Sequence, residues 1–126
     1  MTMKIYESAE DYLEAILMIK EKKGVVHSVD VAEELGFSKA SVSVAMKKLR
    51  ENGYITMEKD ASLTLLPPGR TIAERIYERH KVLTNFFIRL GVDPETAEND
   101  ACKVEHDLSE DTFNAMKNYI NNEKAS

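Results

Sequence analysis

Gly36 separates two short stretches of helical periodicity, 29–35 and 39–51, and two β-prone runs follow at once at 54–58 and 63–66. A glycine at that junction supplies the positive φ of a tight turn. Ser38 stands where the second stretch needs an N-cap, and Val42, Ala45, Met46 and Leu49 then recur at the spacing of a buried helix face. The opposite face offers Lys39, Ser41, Ser43, Lys47 and Lys48. Two helices about a Gly turn, followed by a hairpin that reverses at Lys59-Asp60-Ala61-Ser62, predict a winged helix-turn-helix. Pro67-Pro68-Gly69-Arg70 punctuates its end.

The flanking segments are helical in pattern. In 7–22, Ala9, Tyr12, Leu13, Ile16, Leu17 and Ile19 form a broad apolar stripe that ends at Gly24, and Ser28 is expected to cap the helix at 29–35. A long helix is expected over 71–90, a further one after Asp93-Pro94, and a last one after Ser109. The apolar residues of these three exceed what a small domain needs to bury, which predicts a contact with a second copy. The expected fold class is therefore mostly α: an N-terminal winged helix-turn-helix DNA-binding domain over 1–70, then a C-terminal helical metal-binding and dimerisation domain over 71–126. The polar stretch 121–126 is expected to be disordered.

No apolar run approaches a membrane span and no signal-peptide pattern is present, so a soluble cytoplasmic protein is expected. The single cysteine, Cys102, cannot form an internal disulfide, leaving it as a buried thiol, a ligand or a reactive group. A net charge of −5 seen as a total argues against DNA binding. Its distribution does not: residues 1–79 hold 12 Lys/Arg against 13 Asp/Glu, whereas 80–126 hold 5 against 9. DNA contact is expected from Ser38, Lys39, Ser41, Ser43 and Lys47, with Lys59 at the wing.

Two clusters carry chemistry. Cys102, Glu105 and His106 stand at i, i+3 and i+4, which places a thiol, a carboxylate and an imidazole on one helix face where all three can ligate a transition metal. Asp11 and Glu14 repeat the arrangement with two carboxylates at i, i+3. Other readings of the same residues are a winged-helix regulator that senses a small organic ligand, a metallohydrolase and a protein-binding module. The first leaves the clustered ligands unexplained, and the second lacks a general base outside the ligand set.

Four separated motifs carry a resemblance to a known family: Glu10-Asp11-Tyr12-Leu13-Glu14, the helix-turn-helix and wing, Glu78-Arg79-His80, and the run Ala101-Cys102-Lys103-Val104-Glu105-His106-Asp107-Leu108-Ser109. In order and spacing they resemble the metal-dependent repressors of the diphtheria toxin repressor and manganese transport regulator type. The resemblance implies a homodimer, not an enzyme, that binds double-stranded palindromic promoter DNA when loaded with Mn(II) or Fe(II) and regulates metal-homeostasis genes. Co, Ni, Zn and Cd are expected to substitute in vitro. It further implies metal ligation by Asp11, Glu14, His80, Cys102, Glu105 and His106, of which His80 rests on the resemblance alone. The chain is a hybrid of two branches. The manganese branch carries a carboxylate at the Cys102 position, and the iron branch carries cysteine there but methionine at the Asp11 position. A soft thiolate favours iron, cobalt, nickel or zinc, while carboxylates suit manganese. The resemblance also implies that the ion links helix one to the dimerisation helices and so sets the spacing of two recognition helices.

Overall fold

The computed structural model describes residues 7–125 and divides into two compact units, Met1–Arg75 and Ile76–Ser126. In the first unit α1 (Glu7–Lys23), α2 (Ser28–Leu35) and α3 (Lys39–Glu51) precede a hairpin of β1 (Ile55–Met57) and β2 (Leu63–Leu65). The helix periodicity has a direct structural counterpart: Leu13, Ile16, Val26, Val31, Val42, Met46, Ile55 and Leu63 are all essentially inaccessible to solvent. α1 packs on α2 and β2, and α3 packs on α2 and β1, so one apolar cluster holds all five elements.

Local chemistry sets the boundaries. Ser38 caps α3, its Oγ accepting from the Ser41 amide at 3.1 Å. The cap of α2 lies one residue before the expected Ser28: His27 is extended, and its amide donates to the Asp30 carboxylate at 2.9 Å. An acid three residues into the helix outcompetes the serine because it satisfies the amide just ahead of the first turn. Gly36 is left-handed at φ 71°, and its amide bonds back to the Ala32 carbonyl, which closes α2 and starts the turn into α3. In the antiparallel hairpin Thr56 faces Thr64, with Ile55 opposite Leu65 and Met57 opposite Leu63. The tip turns through Ala61 at φ 68°.

The helix expected from residue 71 begins earlier: α4 spans Pro67–Arg89. Prolines are accommodated in a first turn because the amides there have no intrahelical acceptor to lose. Gly69 in that turn is buried beneath the Tyr54 carbonyl, 2.2 Å from where a Cβ would stand.

The second unit contains the rest of α4 with α5 (Pro94–Val104) and α6 (Glu110–Ala125). Asp93 accepts from the amides of Glu95 and Thr96, and Ser109 from that of Thr112, so both helices begin as the sequence predicts. Ala97 and Ala101, one turn apart on α5, are fully buried. Ile76, Leu83, Phe113 and Ile120 fill the remainder of this core. α6 continues through residues 121–125, where disorder was expected, because a helix already nucleated extends at little cost per residue. Residue 126, the end of that expectation, lies outside the described residues. Among the described residues no helix is long and apolar enough to cross a membrane.

Candidate metal centre

α4 and α5 bring together side chains separated by more than twenty positions in sequence. His80 lies beyond the middle of α4, Cys102 in the last turn of α5, and Glu105 just past its end. His80 Nδ1 is 3.1 Å from Glu105 Oε2 and 3.8 Å from Cys102 Sγ. The donor atoms of all three lie within 4.8 Å of one another. Donors about 2.0–2.3 Å from a common ion stand roughly 3–4 Å apart, so these separations fit a first-row divalent cation.

Burial sharpens the fit. Glu105 is completely inaccessible and His80 is 6% exposed. A carboxylate in such a position is costly unless its charge is answered. Glu105 Oε2 faces His80, while Oε1 is buried without a hydrogen-bond partner among the described residues and lies 3.6 Å from His106 Nε2. Two imidazoles thus flank one carboxylate whose second oxygen has acceptor capacity to spare. Cys102 is exposed, which excludes the inert buried thiol that a lone cysteine suggests.

A proton on His80 answers part of this charge. Hydrogen bonding to Cys102, and then to Glu105, outweighs burial and raises the His80 imidazole from 6.5 to about 10. The exposed Glu98 carboxylate stands 3.7 Å from His80 Nε2. A cation that displaced the His80 proton would meet the same thiol and carboxylate that now hold it.

The remaining expected ligands are placed as follows. His106 lies in the turn after α5 rather than on its face, because α5 ends at Val104. Its side chain is only 2% exposed. Glu105 keeps helical φ and ψ as the C-cap, so the Cys102–Glu105 spacing still acts as one helix face. Asp11 and Glu14 lie one turn apart on α1 in the first unit, Asp11 half-buried and Glu14 buried.

In that unit Lys39, Ser41, Ser43 and Lys47 are exposed on α3, Ser38 is exposed at its cap, and Lys59 is exposed at the hairpin tip. Ser38 and Ser41 also bond to each other, Oγ to Oγ, at 2.9 Å. Sequence reasoning missed Val44, which is 57% exposed in the middle of α3, whereas Val42 is fully buried. The apolar stripe of α3 needs residues 42, 46 and 49, and Val44 falls on the other side of it. Arg79, 4% exposed beside His80, stands in the Glu78-Arg79-His80 motif without a role assigned from sequence, since nothing local in the sequence shows what its guanidinium would reach.

Two family models match the chain in succession. Residues 4–63 match the family described as iron dependent repressor, N-terminal DNA binding domain, and residues 67–125 match its metal binding and dimerisation domain. The chain is 34% identical over 113 residues to the HTH-type transcriptional regulator MntR of Lysinibacillus sphaericus, covering 90% of this chain and 81% of that one. It is 39% identical over 102 residues to the MntR of Bacillus subtilis, covering 81% and 72%. Among solved structures, a manganese-dependent transcriptional repressor in complex with manganese superposes with a TM-score of 0.82 at 27% identity, over 90% of this chain and 52% of the other. The chain therefore spans about half the length of that solved repressor.

Proposed function

Because the chain belongs to the iron dependent repressor family, whose two domains it carries in order, we propose that it is a metal-activated transcriptional regulator of metal-ion homeostasis genes. Its relatives are DNA-binding transcriptional regulators rather than enzymes. The observation that carries the reading is the His80–Cys102–Glu105 cluster, with its buried carboxylate and donors at ligand spacing. A regulator built for a small organic ligand would not need a thiol, an imidazole and a buried carboxylate within 4.8 Å.

A bound divalent cation would supply concentrated positive charge that the carboxylates and thiol cannot find among themselves. His80, Cys102 and Glu105 would hold it, with His106 beside Glu105. Asp11 and Glu14 are proposed as the ligands contributed by α1, on the sequence pairing that first singled them out. Donors drawn from α1 as well as from α4 and α5 would make metal affinity depend on how the DNA-binding helices are held. Linkage then requires DNA to tighten metal binding by the same factor, typically about 5- to 150-fold. Mn(II) and Fe(II) are the proposed signals: three carboxylates favour the first and the Cys102 thiolate the second.

Two copies would present two α3 helices to successive major grooves roughly 34 Å apart, or a multiple of that, so the target is proposed to be palindromic. Ser38, Lys39, Ser41, Ser43 and Lys47 are proposed to meet phosphates and base edges, with Lys59 on the flanking backbone. The exposed Ile88, Leu90 and Tyr119 of the second unit are apolar surface that a dimer would cover.

The test is fluorescence anisotropy with a duplex selected from random sequence in Mn(II), titrated in EDTA and then anaerobically in Mn(II) or Fe(II). Tightening by either ion supports the proposal. Equal affinity in all three conditions would move the reading to a small-molecule sensor.

A further inference from the structure

Residue 79 stands directly before a proposed ligand and holds the backbone of another. The Arg79 side chain is 5% exposed, and Nη1 donates to the carbonyls of Glu105 at 3.1 Å and Leu108 at 2.6 Å. Nη2 donates to Glu110 at 3.2 Å, and the guanidinium lies 5.2 Å from the Phe113 ring centroid. α5 ends at Val104, so the carbonyls that follow have no helical amide to receive. The chain from Glu105 to Leu108 instead curls around this one cation.

From this geometry we propose that Arg79 is a positioning residue for the metal centre, setting where the Glu105 carboxylate points. Metal–ligand distances tolerate only about 0.2 Å of error, and a side chain's reach is fixed by its own backbone. Among the described residues the Glu105 amide bonds back to Ala101, while its carbonyl is taken by Arg79. His80 and Arg79 are consecutive on α4, so the helix that presents the imidazole also holds the end of α5 that presents the carboxylate. The His80–Glu105 separation is thereby fixed before any ion arrives, which lowers the ordering cost of binding.

Arginine is suited to this and lysine is not. Two hydrogens on one planar nitrogen reach two carbonyls while the second nitrogen keeps its carboxylate, an arrangement that an ammonium cannot hold rigidly. A purely structural role would predict loss of stability alone. A positioning role predicts a disturbed coordination sphere in protein that remains folded.

The inference rests on the metal-centre reading, and the experiment separates the two. The full chain is loaded anaerobically with Co(II), and three quantities are read: affinity by chelator competition, the thiolate-to-cobalt charge-transfer absorption, and the melting temperature in EDTA. Arg79→Lys is expected to weaken Co(II) binding about 10- to 100-fold, the range for outer partners of metal ligands, and to alter the charge-transfer band. Phe113→Leu, which removes the ring but keeps the carbonyl bonds, is expected to lower the melting temperature while leaving affinity and band unchanged. Glu110→Gln, at an exposed position, is expected to weaken binding in the same direction by less. Parental affinity and spectrum in Arg79→Lys would overturn the inference. If Arg79→Lys does not fold, parental values in Glu110→Gln would overturn it instead. Absence of Co(II) binding by the parent in the chelator competition would overturn the metal-centre reading itself.

Discussion

Replacing Gly69 by alanine pits two opposed effects against each other at the junction of wing and long helix. Alanine is normally the better helix former by up to about 1 kcal/mol, and less in a first turn. Here a Cβ would stand 2.2 Å from the Tyr54 carbonyl oxygen and 3.0 Å from its carbon, with backbone rather than a flexible side chain in the way. Relieving the contact requires roughly 1 Å of movement between Tyr54, just ahead of β1, and the start of α4. That carbonyl also accepts from the Leu66 amide at 2.9 Å, a bond that such movement would stretch beyond useful length. A lost hydrogen bond costs about 1 kcal/mol and overpacking about 1–3 kcal/mol. The propensity gain offsets only part of this, leaving Gly69→Ala destabilised by about 1–3 kcal/mol. For a chain of this size the melting temperature is expected to fall by about 4–12 °C. Circular dichroism melts of parent and variant in EDTA give the measurement. A melting temperature equal to or above the parent's would show that propensity governs and that the close approach is not held in solution.

Apo-protein stability is expected to depend on pH through His80: its folded value of about 10 lies above the ordinary 6.5, so the stabilisation is full below about 6.5 and is lost as pH rises through 10. Urea melts in EDTA at pH 6 and pH 9.5 should show this decline in the parent, and His80→Gln should flatten it; an equal decline in both would refute the assignment. Val44→Ser is expected to weaken binding to the selected duplex by about 1 kcal/mol, roughly half the value of burying a valine, by losing apolar contact with a base such as a thymine methyl. Unchanged affinity in the anisotropy titration would remove Val44 from the interface. Cys102→Asp is expected to shift activation towards Mn(II) and away from Co(II) and Zn(II), because it replaces a soft donor by a hard one; an unchanged order of metal affinities would show that the thiolate is not a ligand.

Much of this protein is legible in its sequence because the relevant interactions are local. Apolar spacing marks the helices, Ser38 and Asp93 supply caps to amides two or three residues away, and Gly36 declares its turn by the conformation it permits. The pairing of Cys102 with Glu105 follows from one helical turn and survives even though Glu105 is the C-cap. Other features depend on which elements approach one another. The placement of His80 against residues 22 and 25 positions later, the cover of Gly69 by Tyr54, and the wrapping of Glu105 to Leu108 around Arg79 come from packing between elements. Periodicity assigned Val42 to the core, but only the packed unit showed how far Val44 projects from α3. Sequence alone therefore determined the helices, the caps of α3, α5 and α6, and the inventory of donors. Tertiary structure decided which donors meet and what holds them there, because contact across a core depends on chain separation in space, which no local pattern encodes.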